Sequence, residues 1–112
     1  MSVYVSNIVI EQGYDFITYF QLEDPRTNSA LPLSTATPEA QIRKHYGSSS
    51  SVSFASSIYD ASAGVVSIAL TSGQSADLKP GRYVYDVKLT YADGGEYKAV
   101  EGAALVRAGV TR

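Results

Sequence analysis

Cysteine is absent from this chain. Disulfides and thiolate metal centres are therefore excluded, and the redox compartment is left undetermined. Tryptophan is absent too, and there is one histidine, His45. His45 follows Arg43 and Lys44, which disfavour a charged imidazole, and no carboxylate stands at a motif spacing from it. A general base needs a partner and a pocket, so His45 reads as a surface residue at a strand end. No apolar run approaches the roughly 20 residues of a membrane-spanning helix. The start, Met1-Ser2-Val3-Tyr4, carries no basic segment followed by a long apolar one. The expectation is a chain that works in the compartment where it is made, or leaves it within something larger. No charge of one sign dominates: the formal net charge is -2. Nucleic-acid binding wants a basic face, so neither nucleic acid nor membrane is expected as a partner.

What is present is a soluble composition, 45% hydrophobic and 18% charged, in 112 residues. That length gives one domain, residues 1–112, with short N- and C-terminal extensions, and enough chain for one core. Nine of the aromatic residues are tyrosines, a type favoured in strands and at interfaces.

Strand and turn signals alternate along the chain every 8 to 15 residues, as all-β sandwiches do. Tyr4 to Glu11 reads as the first strand, broken by Gln12-Gly13. Phe16, Thr18, Phe20 and Leu22 form the inward set of the second, by their period of two. A polar turn runs from Glu23 to Ser29, and Pro32 and Pro38 argue against a central strand beside them. Ala40 and Ile42 point inward from the next strand, which ends before Gly47 and the serine run Ser48 to Ser51. One strand is expected over Val52 to Ile58, with Val52 and Phe54 inward, and another over Val65 to Leu70. Thr71 or Ser72 can cap a short helical turn that directs Ala76 and Leu78 to the core. Asp93-Gly94-Gly95 makes a hairpin. The last strand, Tyr97 to Val106, points Val100, Gly102, Ala104 and Val106 inward, with an ambiguous register because both faces are apolar.

The most informative stretch is Leu78-Lys79-Pro80-Gly81-Arg82-Tyr83-Val84-Tyr85-Asp86-Val87. A leucine, a Pro-Gly turn and an aromatic-rich strand match the approach to strand F of an immunoglobulin-like sandwich. Pro80 fixes φ, Gly81 frees the backbone, and Tyr83 stands where a tyrosine corner returns its hydroxyl to the preceding turn. Leu78, Pro80, Gly81 and Tyr83 form this structural corner. Tyr85 falls where antibody domains place a cysteine. The fold class expected is all-β: a seven-stranded immunoglobulin-like antiparallel sandwich, with one short helical turn between strands E and F.

A wider pattern runs through Asn7-Ile8-Val9-Ile10-Glu11-Gln12-Gly13-Tyr14-Asp15-Phe16, Ala40-Gln41-Ile42-Arg43-Lys44 and Ile68 to Leu78. It continues through Pro80 to Val87, Asp93-Gly94-Gly95 and Val100-Glu101-Gly102, and ends at Val110-Thr111-Arg112. In order and spacing these segments resemble the small immunoglobulin-like structural domain of tailed bacteriophages, related to the N-terminal domain of baseplate upper proteins. The region from Glu23 to Pro38 departs from the usual Asp-Leu-Thr segment. The resemblance implies a virion component assembled in the host cytoplasm. It would be an adaptor at the tail, neck or baseplate, present in multiple copies and contacting tail, baseplate, neck, fibre or capsid subunits. It implies no catalysis and no cofactor. A capsid decoration protein is the alternative within the same class.

Candidate interface residues are Ile17, Tyr19, Val84, Arg82, Glu101 and Arg112. Ile17, Tyr19 and Val84, facing outward, would form one patch better hidden than exposed, and Val9 and Leu105 are apolar at outward positions too. Arg82 and Glu101 read as solvated edge charges. A carbohydrate- or receptor-binding module is the competing class, with Tyr14, Tyr46, Tyr59 and Tyr91 available to stack on sugars. Nothing selects a carboxylate pair for glycoside chemistry, a nucleophile in the serine run, or ligands for a metal, Glu23-Asp24 included. If Tyr83 makes the corner, Tyr83→Phe lowers stability by about 1 kcal/mol, and an unchanged unfolding midpoint would refute the assignment.

Overall fold

Alternating burial along nearly every segment builds the protein, seen in a computed structural model that describes residues 3–24 and 27–110. The strands are β1 (Tyr4–Val5), β2 (Ile8–Glu11), β3 (Phe16–Gln21), β4 (Glu23–Asp24), β5 (Ser29–Ala30) and β6 (Thr37–Arg43). They continue with β7 (Val52–Ser53), β8 (Ala55–Asp60), β9 (Val65–Leu70), α1 (Ser72–Ala76), β10 (Gly81–Thr90) and β11 (Glu96–Arg107). A 6-stranded sheet is ordered β1-β11-β10-β6-β7, with β2 also on β11, and faces a 3-stranded sheet ordered β3-β9-β8. The fold is an immunoglobulin-like β-sandwich. Strand segments outnumber the seven expected, for two physical reasons.

The first is that two expected strands are each broken. Tyr4 to Glu11 splits at Ser6-Asn7 into β1 and β2, both parallel to β11. Val52 to Ile58 splits at Phe54, where the chain leaves one sheet for the other. β7 pairs with β6, and β8 pairs with β9. Phe54 is buried at the crossing, its N–H donating to Ala40 O at 2.9 Å. The second reason is the small β4–β5 hairpin in the polar turn, whose Pro25 and Arg26 lie outside the described residues.

Pro38 sits inside β6, opposite Leu89 of β10, where a break was expected. At that point β6 has β10 as its paired neighbour, since β7 joins only at Gln41 and Ile42. The imide nitrogen therefore costs no ladder bond there. In β11 the doubt over register resolves as a bulge. Val87 faces Val100, Lys88 faces Lys98, and Ala99 and Val100 are consecutive buried residues. An extra residue in one strand explains why both faces look apolar there.

The core joins Ile10, Leu33, Ile42, Val66, Ile68, Val87, Leu89, Val100 and Val106, all nearly sealed from solvent. At its centre Tyr85 stacks with Phe20 of β3 at 6.4 Å and meets Phe54 edge-on at 6.3 Å. These rings join the two sheets where antibody domains use the disulfide between strands B and F.

The Tyr83 corner forms. Its hydroxyl donates to Lys79 O at 2.7 Å, and Lys44 Nζ lies 4.8 Å from its ring centre. Leu78 is buried below it, and Gly81 takes a φ of +149°. The hydroxyl of Tyr83 is solvent-accessible, so the cost of losing it falls toward the low end of the hydrogen-bond range, about 0.5 kcal/mol. The buried hydroxyl belongs to Tyr85, which donates to Ser6 O at 2.5 Å.

The helix appears as expected, with Thr71 as N-cap and Gln74 completing a capping box. Its core-facing residue is Ser75, fully buried, and Ala76 is exposed. Five residues turn too tightly for Ala76 and Leu78 to share a face. Ser75 Oγ donates to Tyr14 O at 2.7 Å and accepts from Gly13 N at 3.1 Å. Gln12 Nε2 donates to Leu78 O and Asp15 Oδ1 accepts from Ser72 N, so the turn after β2 is latched to α1.

Gly102 is where the kink of the N-terminal arm crosses β11. An added Cβ would collide with the Ser6 carbonyl. Gly102→Ala is expected to lower stability by about 2 kcal/mol through overpacking and to increase hydrogen exchange at Ser6 and Ala103. Wild-type exchange at both would contradict this.

Burial pushes the Tyr85 hydroxyl up from 10.0 to about 12. The folded state thus resists ionisation: the stability that this provides is complete below the unfolded value, near pH 10, and is lost as pH rises toward 12. Tyr85→Phe is expected to be less stable at neutral pH, with the gap to wild type narrowing above pH ~10. A gap independent of pH would refute the buried hydroxyl.

Candidate interaction faces

Each sheet turns one face to solvent, and sequence alternation decides what that face carries. On the three-stranded sheet, β3 sends out Ile17, Tyr19 and Gln21. β9 sends out Val65, Ser67 and Ala69, and β8 sends out Ala55, Ser57 and Tyr59. The register sets these in rows: Ile17 with Ala69 and Ala55, then Tyr19 with Ser67 and Ser57. Ser57 and Ser67 share a hydroxyl hydrogen bond of 2.8 Å, and the Tyr19 and Tyr59 rings meet edge-on at 4.9 Å. Ile17, Tyr19 and Tyr59 are 57%, 50% and 67% exposed. None of these nine residues is charged. Asp60, which closes β8, turns away into its own loop. Its Oδ1 accepts from Ser62 Oγ and from the N–H groups of Ser62 and Ala63. The Ser62 hydroxyl first, then the Ala63 amide, hold that carboxyl below its ordinary value.

The opposite face is laced with charge. Lys88 pairs with Glu96 at 3.3 Å, Lys98 with Asp86 at 3.8 Å, and Arg107 with Glu11 at 3.4 Å. Arg43 donates to Gln41 Oε1 and to Ser48 O, which ties down the start of the serine loop. Such exposed pairs contribute little stability each, but they keep a face hydrated.

The expected patch of Ile17, Tyr19 and Val84 therefore does not form. Val84 projects from β10, in the other sheet, and is only half-exposed. Ile17 and Tyr19 do share a face, and Tyr59 joins them. Glu101 lies between Asp86 of β10 and Val5 of β1, so it is not an edge charge, whereas Arg82 precedes the stretch of β10 that pairs with β6 and is paired with Leu105 of β11 on one side. Arg112 lies outside the described residues. Val9 and Leu105 are exposed side by side on β2 and β11. Of the proposed sugar-stacking tyrosines, Tyr14, Tyr46 and Tyr59 are exposed. Tyr91 instead packs on the core and donates to Pro32 O at 3.0 Å.

A cleft of about 570 Å³ opens beside the end of β3. Tyr4, Tyr19, Gln21, Glu23 and Asn28 are among its walls. Sequence reasoning missed it because β1 and the β4–β5 hairpin bracket it, and neither has a strong periodic signal. His45 is exposed, as expected. Among the described residues, no three acidic or histidine side chains gather as metal ligands would.

No protein-family profile and no curated protein sequence matches the chain. Solved structures align with it. The SrpA adhesin of Streptococcus sanguinis aligns with 90% of this chain and 54% of its own, at 15% identity and a TM-score of 0.52. An internalin-like protein of Listeria monocytogenes aligns with 96% of this chain and 28% of its own, at 12% identity and a TM-score of 0.46. Murine CRIg aligns over 92% of both chains, at 15% identity and a TM-score of 0.41. The chain thus spans little more than a quarter of the internalin-like protein and about half of the adhesin. At 15% identity the likeness to the adhesin concerns the fold alone.

Proposed function

We propose that this chain is a non-catalytic structural adaptor of a tailed bacteriophage virion, at the tail, neck or baseplate. It attaches to neighbouring subunits or fibres through the outer face of its three-stranded sheet. The observation that carries the reading is the segregation of charge between the two outer faces. A solitary protein gains solubility by interspersing charge on both. Here β3, β9 and β8 present Ile17, Tyr19, Tyr59 and small residues with no charge among them. Exposed apolar side chains grouped on one face mark contact surfaces, and aromatic anchors with few charges characterise interface centres. The bacteriophage setting rests on the resemblance of the segments from Asn7 to Phe16 and from Ile68 to Val87.

The mechanism is geometric. A sandwich fixes the positions of its aromatic anchors, so little order is lost on docking. Repetition in a particle multiplies modest contacts into a stable assembly.

The cleft beside β3 supports a second reading, a carbohydrate-binding module. Two exposed tyrosines with nearby amide and carboxylate groups are chemistry that recognises sugar rings and hydroxyls. Saturable glycan binding by the isolated domain, abolished by Tyr4→Ala, would favour it.

The adaptor reading is tested on particles. Gold-labelled antibody should mark the tail tip or neck, and Ile17→Lys with Tyr59→Lys should leave the fold intact while reducing incorporation by about tenfold or more, as for loss of an interface anchor. Label over the head would indicate capsid decoration. Absence of accessible label from particles, or full incorporation of the variant, would contradict the reading.

A further inference from the structure

The sandwich has four sheet edges, and three of them are blunted. β7 is two residues long. The β1–β2 edge is kinked at Ser6-Asn7 and ends in the Glu11–Arg107 ion pair. β8 carries a register shift between Ile58 and Asp60, ends in a carboxylate, and is tied at its start to β6 through Phe54 N–H. These are recognised protections against unwanted strand pairing. The fourth edge, β3, has none of them. Phe16-Ile17-Thr18-Tyr19-Phe20-Gln21 contains no proline, glycine or charge, and pairs with β9 without a register shift. Among the described residues β3 has a paired neighbour on that side alone. Alternate residues therefore direct N–H and C=O groups toward an open edge.

We infer that this edge pairs with β3 of a second copy of the chain, antiparallel and centred on Thr18. The inference rests on the reading of the three-stranded sheet as an assembly surface and names its partner. Side-chain facing restricts the register, because opposed residues must lie on the same face of the sheet. Two arrangements centre the strand on itself, at Thr18 or at Tyr19. Centring on Tyr19 sets Asp15 opposite Glu23, a like-charge pair. Centring on Thr18 sets Asp15 opposite Gln21 and Glu23 opposite Gly13, so no like charges meet. It also sets Ile17 opposite Tyr19 twice on the outer face and Phe16 opposite Phe20 twice on the inner. Aromatic pairs, aromatic with β-branched residues, and threonine with threonine are favoured cross-strand neighbours. The two uncharged outer faces then join into one continuous six-stranded surface. A two-fold axis through Thr18 makes the contact self-complementary and closed.

The absence of native cysteine makes the test clean. Opposed Cα atoms in an antiparallel pair lie about 4.5–5.5 Å apart, within disulfide reach of about 4.4–6.8 Å. Under mild oxidation, Thr18→Cys is expected to form covalent dimers at least ~10-fold faster than Ser57→Cys on β8, because pairing raises the effective concentration. Sedimentation of the uncross-linked wild type should show a reversible dimer. Ile17→Lys/Tyr19→Lys, which sets lysine against lysine, should abolish it, and Ile17→Lys/Tyr19→Glu should restore it. Tyr19→Cys coupling faster than Thr18→Cys would overturn the register. Thr18→Cys coupling no faster than Ser57→Cys, or a wild type monomeric at every concentration, would overturn the pairing. A monomer whose Ile17→Lys/Tyr59→Lys variant still fails to enter particles would remove only the self-pairing and leave the assembly face standing.

Discussion

The crossing of Ser6 over Gly102 is the constraint on which the rest of the structure depends. The Ser6 carbonyl occupies the space where any side chain on residue 102 would stand. From there it accepts the hydroxyl proton of Tyr85, and its own N–H donates to Glu101 O. Asn7 Oδ1 accepts from Ala103 N, so both residues of the kink are fixed to β11. The N-terminal arm is thereby committed to the six-stranded sheet. It adds no strand to β3, whose outer edge stays open. Tyr85 links this crossing to the core, since its ring stacks on Phe20 and touches Phe54. One tyrosine thus does two tasks: its ring joins the sheets in place of a disulfide, and its hydroxyl anchors the arm.

From that commitment follows the asymmetry of the surface. The six-stranded sheet carries ion pairs of low individual worth on its outer face, beside the exposed Val9 and Leu105. The three-stranded sheet exposes aromatic and small residues. Packing inside the sandwich does not require this difference, because outward residues contribute little to the core. A neighbour covering the uncharged face, as proposed, would account for it. Its rigidity helps. Ser75 latches α1 to the turn leading into β3, and the Ser57–Ser67 bond ties the two remaining strands together across the face.

Most of the fold was legible because most strands alternate cleanly. The inward set on β3 was read correctly from a period of two, as were Ala40 and Ile42 on β6 and the tyrosine corner from Pro80-Gly81 and Tyr83. The errors came where backbone geometry overrides pattern. Nothing local marks Phe54 as a sheet crossing, since Val52 and Phe54 both point inward on either side of the switch. Pro38 was read as a strand breaker, but an imide nitrogen on a stretch paired with β10 alone breaks nothing on the side where β7 is absent. Ala76 was favoured over Ser75 because burial was equated with apolarity, although a serine with every hydrogen bond made is a good core residue. Ile17 and Tyr19 were placed on an outward face from sequence alone, and both are exposed there. Val84 was wrongly added because alternation says which way a residue points without saying which sheet it points from. The cleft was invisible because its walls come from segments far apart in the chain.

The claim that the three-stranded sheet is the contact face is tested most directly by the structure of the intact particle at side-chain resolution, from cryo-electron microscopy. Neighbouring protein is expected to pack against Ile17, Tyr19 and Tyr59, with the Lys88–Glu96 and Lys98–Asp86 face toward solvent. A particle in which the charged face is buried and the β3-β9-β8 face is bare would contradict it.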